Sequence, residues 1–242
     1  VRAGDVATHL AWAAQGRPDR VRRYGSALAV AAPGLSGRDR IAVSGDADDA
    51  ARLVRDLLAE LGPGFRPFGD ADLIATLARR VPGLAPGEPF YWMETAAPGR
   101  PPRTETASPG GASGVFGVRW LDAAEERMSE PLFERWFARS HARPGRSGVS
   151  RWAGVHGGNG LLAVAADAWS AAGCGFVAGV VTAPEARGRG LGTAVCRFVV
   201  DALVREHGRA ALMVDAGNTP AVAAYERIGM TKRLFDAAAV GA

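Results

Sequence analysis

The sequence predicts an α/β chain built on a mixed sheet, and three observations carry that prediction. Apolar runs of strand length alternate with amphipathic helical runs along the second half. The stretch "AAPGRPPRTETASPGGASG" at 96–114 is rich in Pro, Gly, Ser and Thr and keeps no period of 2 or 3.6, so it reads as a linker. A glycine-rich turn, "RGRGLG" at 187–192, joins a strand-like run to a helix-like one. The 242 residues suffice for one large domain or two small ones with an apolar core. The expected division is a smaller α+β domain at 1–95, the linker at 96–114 and a second domain at 115–242.

In the first part a helix is expected over Asp5 to Gln15, with strands at Ala27–Ala32 and Arg40–Ser44. The run "SGDADDAARLVRDLLAELG" puts Leu53, Leu57, Leu58 and Leu61 on one helical face, acids at its start and Gly62 at its end. Asp46, Asp48 and Asp49 are read as helix-start acids rather than a metal cluster. A second helix carries Leu73, Ile74 and Leu77, and "PFYWME" at 89–94 reads as a strand. In the second part "GVFGVRWL" is a strand, and Leu132, Phe133, Trp136 and Phe137 mark a helix. "SRWAGVH" and "LLAVAADAW" flank the hairpin signal "GGNG". Then follow the strand "CGFVAGVVTAP", a helix from Gly190 to His207, the strand "ALMVDA", a helix ending at Gly229 and a final strand "MTKRLFDA".

Composition narrows the function classes. Hydrophobic residues are 48% and charged residues 22%, as in a globular protein, and no apolar run approaches the roughly 18 residues of a membrane span. The first residues lack the pattern of a secretory signal, and Cys174 and Cys196 form neither a CxxC motif nor a zinc set. A cytoplasmic protein without a metal or a membrane partner is expected. The net charge of +4 comes almost wholly from scattered Arg, since Lys232 is the only lysine. Without a basic block interleaved with aromatics, no specific nucleic-acid partner is expected, although a mildly basic surface suits an anionic ligand.

The turn at 187–192 admits three readings. A phosphate loop of the GxxxxGK[ST] kind needs a lysine that is absent. A dinucleotide fingerprint needs GxGxxG directly after a strand, but Thr193 stands where its third glycine belongs and "TAPEAR" delays the first. Only Asp215, ending the next strand like a ribose-binding acid, speaks for it. The third reading is an anion nest: successive backbone N–H groups, a helix N-terminus behind them, and Arg187 and Arg189 for charge-assisted bonds.

Residues 115–242 resemble the GNAT N-acetyltransferase superfamily. The resemblance rests on "GVVTAPEARGRGLG", "ALMVDAGNTPA" and "AVAAYERIGM", in that order and at suitable separations. Arg187, Gly190 and Gly192 follow the superfamily's [QR]xxGx[GA] pattern, and Asn218, Tyr225, Glu226, Arg227, Gly229 and Met230 its closing segment. The resemblance implies a GNAT-like acyltransferase fold, acetyl-CoA as co-substrate and transfer to an amine of a small molecule, a peptide N-terminus or a lysine. The glycine strand would splay from its neighbour at a bulge. Val180, Val181 and Thr182 would pair with the pantetheine arm, and the amides of Gly188, Arg189, Gly190, Leu191, Gly192 and Thr193 would cradle the pyrophosphate. Asn218 would contact the pantetheine, and Tyr225 would lie near the sulfur.

On that reading an amide of Val181 or Thr182 would stabilise the developing oxyanion. Tyr225 would protonate the leaving thiolate, uphill by roughly 2 kcal/mol at unperturbed pKa values. Where some relatives carry a basic glutamate this chain has Met213, leaving His156, Asp167, Glu185 and Asp215 as candidate bases, or none. Trp120, Trp136, Trp152 and Trp169 suit either an acceptor pocket or the core, and Asp122, Glu125 and Glu126 either an amine or a solvated face. A non-catalytic acyl-CoA-binding module is the alternative. The first half is loosely compatible with a degenerate copy of the same fold, lacking the glycine loop. It would wall the acceptor site or supply a missing last strand, a need that a homodimer would also meet.

Overall fold

The computed structural model describes residues 7–97, 117–158 and 160–241. The start of the first expected helix at Asp5, the linker from residue 98 onward, residues 115–116 and Asn159 lie outside the described residues.

The first half begins with α1 (Thr8–Ala14), β1 (Val21–Tyr24), β2 (Ala27–Ala32) and β3 (Arg40–Ser44). Then come α2 (Ala47–Leu61), β4 (Arg66–Asp70), α3 (Ala71–Arg80), β5 (Leu84–Pro86) and β6 (Phe90–Thr95). The second half runs β7 (Arg119–Trp120), α4 (Ala123–Arg127), α5 (Glu130–Trp136), β8 (Val149–Gly157), β9 (Gly160–Ala168) and β10 (Gly175–Thr182). It ends with α6 (Leu191–His207), β11 (Ala210–Asp215), α7 (Thr219–Arg227) and β12 (Thr231–Val240).

Eleven of the twelve strands join in the order β1-β2-β3-β4-β12-β6-β11-β10-β9-β8-β7, and β5 pairs with β12. Each half contributes an antiparallel set followed by a helix and a parallel strand: α2 links β3 to β4, and α6 links β10 to β11. At the junction the halves exchange strands. β6 lies between β11 and β12, antiparallel to both. β12 continues past β6 to pair with β4 through Phe235–Ala237 and with β5 through Ala238–Val240.

Alternation along the strands sends side chains to two faces. Ile41, Val43, Leu53, Leu57, Ile74 and Leu77 pack under α2 and α3. Val195, Val199, Leu203, Leu212, Val214 and Tyr225 pack under α6 and α7. The opposite face is covered at its centre by α1, whose Trp12 is wholly buried and stacks on Phe176 at 4.4 Å. Trp12 Nε1 and Gln15 Nε2 both donate to the carbonyl of Trp169, each at 2.9 Å, so α1 pins the end of β9.

Three strands were not expected. "RPFGD" reads as a turn because of Pro67 and Gly69, yet it forms β4. A Cβ at Gly69 would lie 2.5 Å from the carbonyl oxygen of Val43, so the glycine permits the approach of β3. β1 is exposed throughout, and β5 is three residues long; neither shows alternation. The strand expected in "GVFGVRWL" is confined, among the described residues, to Arg119–Trp120.

Candidate active site

The site grows from one glycine. Gly179 has φ +60°, and a Cβ there would meet the ring of Trp152 at 2.5 Å, so only glycine fits. Around it the pairing of β10 with β9 shifts register between Ala178 and Val181, a β-bulge. β10 pairs with β11 only at Gly175–Ala210 and Phe176–Ala211. Beyond these two positions β11 stays paired to β6 on its other edge but parts from β10, and a gap opens between them. Ala183 N donates to Leu162 O of β9 at 2.8 Å. Alternation then directs the Val181 amide toward β9 and the Thr182 amide into the gap.

Behind the gap stands the N-terminus of α6. Gly188 and Gly190 have φ of +72° and +78°, while a Cβ at Gly192 would strike Thr182 Oγ1 at 2.7 Å. The turn thus needs two glycines for its conformation and a third for contact with β10. Gly190 caps α6 without any side-chain bond, and no acid lies in the first turn. The leading amides of this 17-residue helix therefore offer unused donors and a partial positive charge.

Two pockets meet here. The larger, about 890 Å³, runs along the glycine turn and the first turn of α6 and is closed by α7. It is lined by Val180, Val181, Thr182, Arg187, Gly188, Gly190, Leu191, Gly192, Thr193, Asn218 and Tyr225 among others, bringing the expected binding residues together except Arg189. Arg189 is exposed on the turn and does not reach this lining. Arg227 adds a second cation to the lining, and Trp136 and Phe137 of the α5 end stand exposed at the pocket. The smaller pocket, about 230 Å³, lies toward α1 and α5 and includes Arg40, His141, Trp169, Met213 and Asp215. Phe137, Val180, Asn218 and Tyr225 line both.

Tyr225 is 6% exposed, and its hydroxyl lies beside the sulfur of Cys196. Burial pushes the phenol well above its usual value, so Tyr225 is firmly protonated. Full proton transfer from it to a solvated thiolate would therefore cost more than the roughly 2 kcal/mol of unperturbed values. The same burial raises the Cys196 thiol to about 12, and a thiolate brought beside it would be destabilised likewise. The Asn218 side chain caps α7 by accepting from Ala221 N at 3.3 Å.

Of the candidate bases only Asp215 lines a pocket. His156 of β8 has Nε2 3.3 Å from Glu125 Oε1. Asp167 is buried and bound by Arg151 and Ser170, and Glu185 is exposed in a short turn before Arg187. Trp152 belongs to the core, whereas Trp169 faces the smaller pocket and Trp136 the larger. Trp120 packs against Phe198 and under Arg151. Asp122 caps α4, Glu125 pairs with Arg119, and Glu126 accepts from Trp152 N, so each has a local structural task. Asp46 likewise caps α2. Asp167, Glu206 and His207 bring ligand atoms within 4.8 Å of one another, but Arg151 is ion-paired to both carboxylates. Among the described residues no helix is long and apolar enough to cross a membrane.

Sequence reasoning missed Arg40 and His141. Arg40 sits in an apolar strand of the other half, and His141 in an irregular loop after α5, so only folding brings them to this pocket. Their signal was faint: an arginine opening a strand otherwise apolar up to Ser44.

The fold and this cleft define an acyltransferase-like architecture, and comparison with known proteins agrees. Residues 117–230 match the model of the Acetyltransferase (GNAT) family. A GNAT-family protein from Novosphingobium aromaticivorans superposes with a TM-score of 0.56 at 20% identity, covering 95% of both chains. A GCN5-related N-acetyltransferase from Kribbella flavida gives 0.59 at 17% identity, covering 92% of this chain and 90% of that one. At such identities the likeness is one of fold, and it extends over the first half as well. No curated protein matches the chain significantly.

Proposed function

We propose that the protein is an acetyl-CoA-dependent N-acetyltransferase acting on a primary amine. The observation that carries this reading is the gap between β10 and β11 backed by an uncapped helix N-terminus. That arrangement fits a long ligand with an extended amide-bearing arm and a pyrophosphate. Acetyl-CoA would supply the acetyl thioester. The amides of Gly188 to Thr193, with Arg187, would hold the pyrophosphate. The Thr182 amide faces the gap and suits a developing oxyanion.

In the transfer the amine nitrogen bonds to the acetyl carbon, the carbon–sulfur bond breaks, and the sulfur leaves as a thiolate needing a proton. Tyr225 is the protonated group common to both pockets, and it would turn its hydroxyl from Cys196 toward that sulfur. The amine must arrive neutral or lose a proton. Asp215 and His141 line its side, and burial together with Arg38, Arg40 and Arg146 lowers the imidazole's pKa, keeping it neutral as a base requires. The alternative, a non-catalytic acyl-CoA-binding module, draws on Met213, an apolar side chain lining the smaller pocket.

The test is a calorimetric titration with acetyl-CoA beside Gly190→Glu. Space at Gly190 is open, but the positive φ and the new carboxylate both oppose an anion there. Micromolar binding weakened at least about 100-fold is expected, since like charges at a desolvated anion site cost several kcal/mol. Absence of binding to the unaltered protein would end the reading. Binding without CoA release on any amine would favour the module.

A further inference from the structure

We propose that the acceptor carries an oxyanion, a carboxylate or a phosphate, beside its amine, with Arg40 of the first half as its counter-charge. The proposal rests on the acetyltransferase reading and deepens it.

Arg40 is 9% exposed yet lines the smaller pocket. Its Nε donates to Leu35 O at 3.0 Å and Ser36 Oγ at 3.1 Å, and its Nη2 to Ser36 Oγ at 2.8 Å. Both acceptors are neutral. Among the described residues no carboxylate is ion-paired to it, and the charges acting on it, Arg38 and Arg66, share its sign. The rings of Trp12 and Phe68, 6.0 and 5.6 Å from the guanidinium carbon, stabilise it only in part. Burial lowers its pKa to about 10, so it is still charged at neutral pH. A buried guanidinium without a counter-ion is costly unless an anion completes it. Its planar fork suits a carboxylate or phosphate.

The rest of the lining agrees. Arg40, Arg139 and His141 face a single acid, Asp215, which ends β11 beside the gap. The pocket is therefore polarised: Arg40 from the first half and Arg139 from the loop after α5 supply its cations, and one carboxylate stands where an ammonium would approach the thioester. The turn holding Ser36 is built for this contact. Ser36 has φ +49°, and a Cβ at Gly37 would lie 2.6 Å from His141 Nδ1, so the first half presses directly on the acceptor loop. Backbone strain at Ser36 is retained where its hydroxyl orients Arg40.

The experiment follows CoA release with the common L-amino acids and phosphoethanolamine, each against its uncharged partner: the amino-acid amide, or ethanolamine. Calorimetry first establishes that acetyl-CoA binds. Expected is a kcat/KM on the order of 100-fold higher for at least one anionic member over its partner. That ratio should fall toward one in Arg40→Gln with acetyl-CoA affinity unchanged. Carboxylate and phosphate members report which oxyanion is used. Should Arg40→Gln fail to fold, Ser36→Ala, which frees the guanidinium from its orienting hydroxyl, should lower the same ratio. The paired comparison on the unaltered protein also stands without any variant. Equal or faster turnover of the uncharged partners would overturn the proposal. So would failure of acetyl-CoA-loaded protein with every anionic member. If acetyl-CoA does not bind at all, the acetyltransferase reading falls by itself. Inorganic phosphate then decides the anion site: it should raise the melting temperature of the unaltered protein but not of Arg40→Gln, and no rise would overturn the site.

Discussion

Each half turns from a strand into a helix and back to a parallel strand, and the two turns are made differently. After β3 the chain passes Ser44 and Gly45 to Asp46, whose side chain accepts from Asp48 N and Asp49 N and caps α2. After β10 it passes Gly188 and Gly190 to an uncapped α6, whose second residue is Gly192. β3 and β4 pair at three positions, and Gly69 lets the strands close near Val43. β10 and β11 pair at two and part. The first half thus shows that such a turn needs no glycine-rich loop. What the glycines add in the second half, among the described residues, is a helix start with no side-chain cap, beside a gap where β10 and β11 part. Withholding a cap makes a site out of a turn.

The comparison extends to the following helix. Seven residues beyond its cap, α7 carries Tyr225, and α3 carries Leu77, fully buried. The largest effect is expected there. Tyr225→Phe should lower kcat about 100-fold or more, as loss of a general acid does, with little change in acetyl-CoA affinity. Steady-state rates and calorimetry separate the two, and unchanged turnover would make Tyr225 a packing residue like its counterpart.

A second contrast is what fills the first half's closed region. His9 of α1 is buried among Phe68, Trp92 and Phe235, with Nε2 at 3.1 Å from Val43 O. Burial drops its pKa to about 4, against 6.5 when unfolded. The unfolded chain therefore binds the extra proton between those values. The contribution is fully present above pH about 6.5 and is lost as pH falls through 4. The span corresponds to about 3 kcal/mol. Denaturant unfolding across pH, beside His9→Met, should show the difference in slope; parallel curves would refute it.

The smallest effect concerns the cap itself. Asp46→Ala should lower the melting temperature by roughly 2–4 °C without creating acetyl-CoA binding. The bonded carboxylate, held below its usual pKa by the amides it accepts from, is then shown to serve stability only. Acquired binding would mean that the cap alone separates the two halves.

Much of this was legible in the sequence. Strong periodicity placed Ala27–Ala32, Arg40–Ser44 and the α2 and α6 helices, and Gly188, Gly190 and Gly192 marked the turn into α6. "RPFGD" was not legible because Pro and Gly signal a turn, and only the packing of β3 and β12 around it makes a strand. The wall of the smaller pocket was hidden for another reason. Arg40 and His141 lie far apart in sequence, and no local pattern marks a pair that meets only across the junction. A bulge in this strand was expected from the resemblance, yet its place at Gly179, where the ring of Trp152 leaves no room for a Cβ, needed coordinates.

The exchanged strands set a condition on synthesis. β4 and β5 have no complete neighbour until β12, ending at Val240, has been made, because that strand pairs with both. β6 in turn waits for β11 and β12. An emerging chain folds early only where its contacts are local, and here the first half must hold open edges until β12 appears. Neither half is therefore a separable folding unit. Two fragments cut between β6 and β7 should be insoluble when made alone and should recover one sheet when made together.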